Sequence, residues 1–325
     1  MRRREFIALL GAITAWPQGV LGQTKRPRLV GWLYFHRADL AAKYLRSLLD
    51  GMRELGHTEG RDFEMVYRSA DGDVERLSKA AAELVQLNPD IIVAPATIQA
   101  VAVKRETDTI PIVVPALADP VALGFAASDA RPGGNVTGIT PYVKGLPAKQ
   151  LELAREVVPG ASRIGLLHDV NDPKAHPQRR EIEAAAQGLE IKIVPVEVRT
   201  IADTAAAYEA LANARVEVVI VEQSNTLLNA RKQIAEAEAA KKLPTVYGYH
   251  EHVDAGGLIS YGVNLNWCFH RAAYYVDKVL KGAKPAELPV EFPSRLELSI
   301  NLKTAKTLGL TIPPSVLVRV DEVIE

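Results

Sequence analysis

His250-Glu251-His252, with Asp254 close behind, is a cluster whose residue types could hold a metal. In an extended segment an H-x-H pair sends both imidazoles to one face, as a shared ion requires. No third ligand follows at a recognisable spacing, so no bound metal is expected and the histidines read as rim residues. Nucleophile chemistry finds less support still: the chain has no Ser in a G-x-S-x-G elbow, no Walker loop and no G-x-G-x-x-G after a strand. No cofactor is expected. The remaining polar candidates are short loops that follow apolar runs: Tyr34-Phe35-His36-Arg37, Ala94-Pro95-Ala96-Thr97, Leu117-Ala118-Asp119-Pro120, Asp169-Val170-Asn171-Asp172, Glu222-Gln223-Ser224-Asn225 and Tyr247-Gly248-Tyr249-His250.

These loops can meet only if the runs before them are strands of open parallel sheets, where ligands collect outside the carboxyl ends. The pattern supports that. From Arg28 onward, short β-branched runs alternate with amphipathic stretches, which predicts parallel sheets flanked by helices. Strands are predicted at 29–35, 63–68, 90–94 and 112–115, then at 163–168, 191–198, 216–221 and 245–247. Helices are predicted at 40–55, 74–87, 98–107, 148–158, 178–187, 205–214, 227–241 and 267–280, with a short one near 304–308. Between the two series, Arg131-Pro132-Gly133-Gly134-Asn135 breaks the rhythm with turn formers. Two units built the same way suggest a tandem pair of open sheets. With the resemblance given below, they are expected as two Rossmann-like lobes joined by a hinge, an N-terminal one of 23–138 plus 262–288 and a C-terminal one of 139–261 plus 289–325.

In that frame the candidate ligand-binding residues are Tyr34, His36, Thr97, Asp119, Asn171, Ser224, Asn225 and Tyr247. Thr97 opens a helix, so its hydroxyl and the amides after it could hold a carboxylate; a plain helix cap is the competing role. Asp119, before Pro120 at another expected helix entry, could receive an ammonium or serve as a plain helix N-cap. Ser224 and Asn225 sit where capping and ligand contact overlap, and Asn171 where a turn competes. Tyr34, Phe35, Tyr247 and Tyr249 could flank a ring or an aliphatic group, or simply pack.

Composition narrows the partner. The 325 residues carry 39 Lys+Arg against 39 Asp+Glu, which removes the electrostatic footprint of a nucleic-acid binder. A small solute is expected and no nucleic acid. The single cysteine, Cys268, can make no internal disulfide and reads as a small buried apolar residue. At the N-terminus, Arg2-Arg3-Arg4 precedes the apolar run 6–13, and Val20-Leu21-Gly22 precedes Gln23. That order predicts an export signal over 1–22 cleaved near Gly22-Gln23, and Arg3-Arg4-Glu5-Phe6-Ile7 resembles the twin-arginine consensus.

The stretch from Asp119-Pro120-Val121 to Ala130-Arg131-Pro132-Gly133-Gly134-Asn135-Val136-Thr137-Gly138 is similar to a bacterial family of ABC-transporter substrate-binding proteins that includes tryptophan- and tyrosine-binding members. Gly257-Leu258-Ile259-Ser260-Tyr261-Gly262, the run 275–285 and the run 301–310 resemble its C-terminal pattern. The resemblance implies a type I periplasmic-binding fold with three crossovers, and a cleft lined at Thr97, Asp119, Asn171 and Ser224-Asn225. It also implies a non-enzymatic, periplasmic, monomeric protein that binds an amino acid or similar solute and docks on an ABC permease in the inner membrane. The first-strand loop is bulkier than is usual in such proteins, which favours a smaller or differently shaped solute. Two other readings stay open: a ligand-sensing effector domain, and a metal-dependent hydrolase using His250 and His252.

Overall fold

The computed structural model describes residues 26–35 and 38–325, with side chains of the first helix described from position 42. The expected export signal over 1–22 lies outside these residues, as do His36 and Arg37. The first sheet contains β1 (Arg28–Tyr34), β2 (Phe63–Ser69), β3 (Ile91–Val93), β4 (Ile112–Val114) and β5 (Val136–Gly138), in the order β2-β1-β3-β4-β5. All its pairings are parallel. The α-helices α1 (Ala38–Glu54), α2 (Val74–Gln86) and α3 (Thr97–Glu106) cross between the strands. In α2, Leu77, Ala80, Ala81 and Leu84 form the buried stripe, and Asp73 caps the helix by accepting from Glu75 N and Arg76 N. Such a cap stabilises a helix by about 1 kcal/mol.

The second sheet contains β6 (Arg163–Asp169), β7 (Lys192–Val198), β8 (Val218–Val221), β9 (Thr245–Tyr247), β10 (Ile259–Gly262), β11 (Glu297–Asn301) and β12 (Glu322–Ile324). Its order is β12-β11-β10-β9-β8-β6-β7, so the first five of its strands repeat the order of the first sheet. Only the β10–β11 pairing is antiparallel. Helices α4 (Leu146–Val157), α5 (Ala175–Gln187), α6 (Thr204–Asn213), α7 (Asn225–Asn229), α8 (Arg231–Lys241) and α9 (Glu251–Asp254) belong to this half. One face packs under α4 and α5 with Ile164, Leu166, Val218 and Ile220, the other under α6 and α8 with Leu167, Val219, Val221 and Tyr247.

The remaining helix of the middle region, α10 (Leu265–Leu280), returns to the first sheet. Its Cys268, Phe269, Ala272 and Val276 pack with Trp32, Leu48 and Met52. Two final helices, α11 (Leu302–Leu308) and α12 (Pro314–Leu317), close the second half. The chain therefore crosses between sheets after β5, after β10 and again before β11. Two of these passages are bonded together: Ile139 pairs with Glu291, Glu291 N donates to Gly138 O at 2.9 Å, and Thr140 N donates to Glu291 O at 2.9 Å. Gly138 is also held close to β4, where a Cβ would fall 2.1 Å from Val114 O.

The turn-rich Arg131–Asn135 leads into β5, which lies within the expected first lobe of 23–138. Other expectations change. The helix expected over 227–241 is two helices that meet at Ala230. The segment holding His250-Glu251-His252 is a turn and the short helix α9, so the two imidazoles do not share a strand face.

Candidate functional site

In the first half, the strand-end loops are stitched to one another. Ala96 bridges to Ala116, and the buried Thr97 hydroxyl accepts Ala118 N at 2.7 Å. The cap of α3 is Ala96, which has no side-chain acceptor, so the first amides of this helix end are left to other partners. Gln99, one turn in, is buried with Oε1 unpartnered. Asp119 is half-buried and accepts Ala122 N at 3.0 Å, holding the following turn rather than a helix.

The second half presents a more elaborate polar floor. Asp172 and Lys174 form an ion pair at 3.0 Å with side chains only 7% and 3% exposed. The Asp172 carboxylate also accepts Lys174 N at 2.9 Å and Asn225 N at 3.4 Å, tying the β6 loop to the start of α7. Gln178 of α5 holds both backbone groups of one residue: its Oε1 accepts Gln223 N at 2.9 Å and its Nε2 donates to Gln223 O at 3.0 Å. The Gln223 amide in turn donates to Gly248 O at 3.1 Å. Three loops are thus fixed relative to each other before any ligand arrives, the arrangement that lowers the ordering cost of binding.

Behind this floor, His168 Nδ1 lies 3.1 and 3.0 Å from the two oxygens of Glu222, both side chains being buried. The hydrogen bond with Glu222 raises the imidazole's pKa, whereas burial pushes the carboxyl up to about 7 despite that bond.

The two strand-end faces meet at Tyr249. It is 2% exposed and packs with Val263 and Leu265, against Tyr44 and Ala116 of the first half and Val143 and Leu228 of the second. Burial, with the nearby Asp172 charge second, raises its phenol pKa well above the usual value. Ala116 bridges to the residue before Thr97, and Tyr249 neighbours Asp172, so the Thr97 and Asp172–Asn225 loops flank the same interlobe cluster.

The sequence candidates fare unequally in this geometry. Thr97, Asp119, Ser224 and Asn225 all lie on strand-end loops, Ser224 as a fully buried cap accepting Leu227 N at 3.0 Å. His36 lies outside the described residues. Asn171 is exposed and donates to Arg199 O at the end of the edge strand β7, a turn role; its neighbour Asp172 is the buried one. Tyr34 stacks on Tyr67 at 5.9 Å within the first sheet's layer, so this part of the bulky loop fills the lobe rather than the gap between lobes. Tyr247 turns the other way as well: its hydroxyl donates to Glu238 of α8 at 2.7 Å and its ring stacks on His252 at 4.6 Å. β9 ends at Tyr247, and beyond the strand end, past Gly248, it is Tyr249 that takes the interlobe position. Of the histidine pair, His252 is fully buried with its nitrogens on Tyr249 O and Leu227 O, whereas His250 faces Asp254 at 3.0 Å. No group of three metal-ligating side chains occurs among the described residues. Lys174 and Gln178 were not legible as part of this floor, because nothing in their spacing separates them from surface polar residues, whereas Gln223 lies in a loop the sequence singled out.

The family described as ABC transporter substrate binding protein matches residues 36–324. The chain belongs to that family. Its two sheets have the order and connections of the type I periplasmic-binding fold. This substrate-binding protein is 24% identical over 268 residues to the tyrosine-binding protein of Clostridioides difficile strain R20291, covering 82% of this chain and 77% of that one. Among solved structures, a conserved domain protein of Vibrio cholerae O1 biovar El Tor superposes with a TM-score of 0.85 at 28% identity, covering 92% of this chain and 100% of that one. The ABC domain in complex with L-Trp from Streptococcus pneumoniae gives 0.85 at 26% identity, with the same coverage. No helix among the described residues is long and apolar enough to cross a membrane.

Proposed function

We propose that this substrate-binding protein is the extracytoplasmic, monomeric receptor of an ABC importer, that it captures an amino acid or similar zwitterion between its lobes, and that it catalyses no reaction. The observation that carries this is the confrontation of two prebuilt strand-end faces at Tyr249, one offering the open helix end at Thr97 and the other the Asp172–Asn225 floor. A carboxylate suits the amides of α3. An ammonium suits a carboxylate such as Asp119. A tyrosine-binding relative and an L-Trp-bound neighbour support an amino-acid solute.

Each lobe supplies part of the contacts, so solute binds the closed arrangement better than the open one and shifts the population toward it. The permease in the inner membrane would read that shift. At solute one hundredfold above its dissociation constant the fold gains about 2.7 kcal/mol, which for a chain of this size raises the melting temperature by about 4 °C. Thermal denaturation with L-tryptophan, L-tyrosine and a panel of other amino acids, amides, small carboxylates and ureas tests the reading. A panel that leaves the melting temperature unmoved throughout overturns it.

A further inference from the structure

The lobes also touch to one side of the strand-end face. A groove of about 360 Å³ separates α1 of the first lobe from α7, α8 and α9 of the second, lined in part by Lys43, Tyr44, Leu228, Arg231 and Glu251. Here the Tyr44 hydroxyl donates to Glu251 Oε1 at 2.9 Å, and Lys43 Nζ reaches the same oxygen at 3.2 Å. The Glu251 side chain is 5% exposed, and its Oε2 is buried without a partner. A carboxylate so placed depends on the opposite lobe for the hydrogen bonds it has.

Each partner is fixed by its own lobe. The Tyr44 ring stacks on Phe269 of α10 at 4.7 Å and 20°, which aims the phenol from the first lobe. Glu251 is carried on α9 between Tyr249 and His252, and His252 is anchored by its stack on Tyr247. Parting the lobes therefore breaks these bonds instead of stretching them. Water then takes over both partners.

We propose that Lys43, Tyr44 and Glu251 form a latch between the lobes that exists only in the closed state and sets the closed-to-open ratio, and with it the solute affinity, without touching the solute. The inference rests on the closure reading above. Tyr44→Phe removes one donor to a charged acceptor that stays buried when the lobes are shut, whereas in the open state water replaces it. The closed state alone loses, and affinity falls by about tenfold or more.

Two readouts test the latch separately from the function. One is the distance between a spin label on each lobe of the solute-free protein; the other is calorimetric affinity, with L-tyrosine as the probe. Expected are a shift toward longer label distances in Tyr44→Phe and Glu251→Gln, a weaker affinity in both, and a double variant no worse than the more affected single one. Lys43→Arg keeps the charge and stays close to wild type. Label distances and affinities within twofold of wild type in both Tyr44→Phe and Glu251→Gln overturn the latch. Should the wild type ignore L-tyrosine while the label distances still respond, the latch stands and the assigned solute fails. Glu251→Gln serves alone if Tyr44→Phe does not fold.

Discussion

Replacing Lys174 by Met removes the ammonium from a pair whose side chains are 3% and 7% exposed and whose atoms are 3.0 Å apart. Breaking a buried pair by deleting one partner costs about 3–5 kcal/mol, because the remaining charge stays in a place water does not reach. The Asp172 carboxylate keeps two backbone donors, Lys174 N and Asn225 N. These offset part of the loss and put the expected destabilisation near the lower bound, about 3 kcal/mol. That is a large share of the roughly 5–15 kcal/mol that holds a domain folded. Chemical denaturation of Lys174→Met should show an earlier midpoint with an unchanged slope. Adding Asp172→Asn, which removes the stranded charge, should restore most of the difference. A Lys174→Met protein within about 0.5 kcal/mol of wild type, the range of an ordinary surface substitution, would refute the claim that this floor is dry and charge-paired.

Two further outcomes follow from buried groups. Burial raises the Glu238 carboxyl from its ordinary 4.5 to about 8, although Tyr247, Thr245 and Leu258 all donate to it. A raised folded-state value favours the protonated form, so its contribution to stability is full below pH 4.5 and lost as pH rises toward about 8; Glu238→Gln should flatten that decline in denaturation midpoints measured across the window. Gly262→Ala would place a Cβ 1.9 Å from Gly248 O, a backbone atom that cannot step aside. It should destabilise the protein by about 3 kcal/mol in thermal melts; a melt like that of wild type would show that β9 and β10 part more easily than their geometry implies.

Much of this architecture was legible because burial leaves a period in the chain. The stripe Leu77, Ala80, Ala81 and Leu84 marked α2, and the apolar run of β8 marked a strand covered on both faces. The misses fall outside the strand–helix rhythm that organised the prediction: β5 follows β4 with no helix between them, and β10 and β11, which mix polar with apolar side chains, form the antiparallel pair. At the site, the loops were legible but the direction of each side chain was not: Asn171 is exposed while its neighbour Asp172 is buried, and of the two tyrosines named, Tyr247 packs into its own lobe while Tyr249 lies between the lobes. Which of two neighbouring side chains faces the other lobe is decided by the exact last residue of a strand, and strand ends are the least legible feature of a sequence. Lys174 and Gln178 were invisible for a different reason: burial of a lysine or glutamine is a tertiary outcome that leaves no periodic mark.

The bonded pair of passages at Gly138–Thr140 and Glu291 has a consequence for how the molecule moves. Two independent threads would let the halves swing and swivel alike. Linked side by side, they behave as a narrow ribbon, compliant to flexing across its width and stiff to torsion. Under the proposed closure, motion would thereby be channelled into something near a single bending coordinate, each stroke bringing the same loops back into the same register.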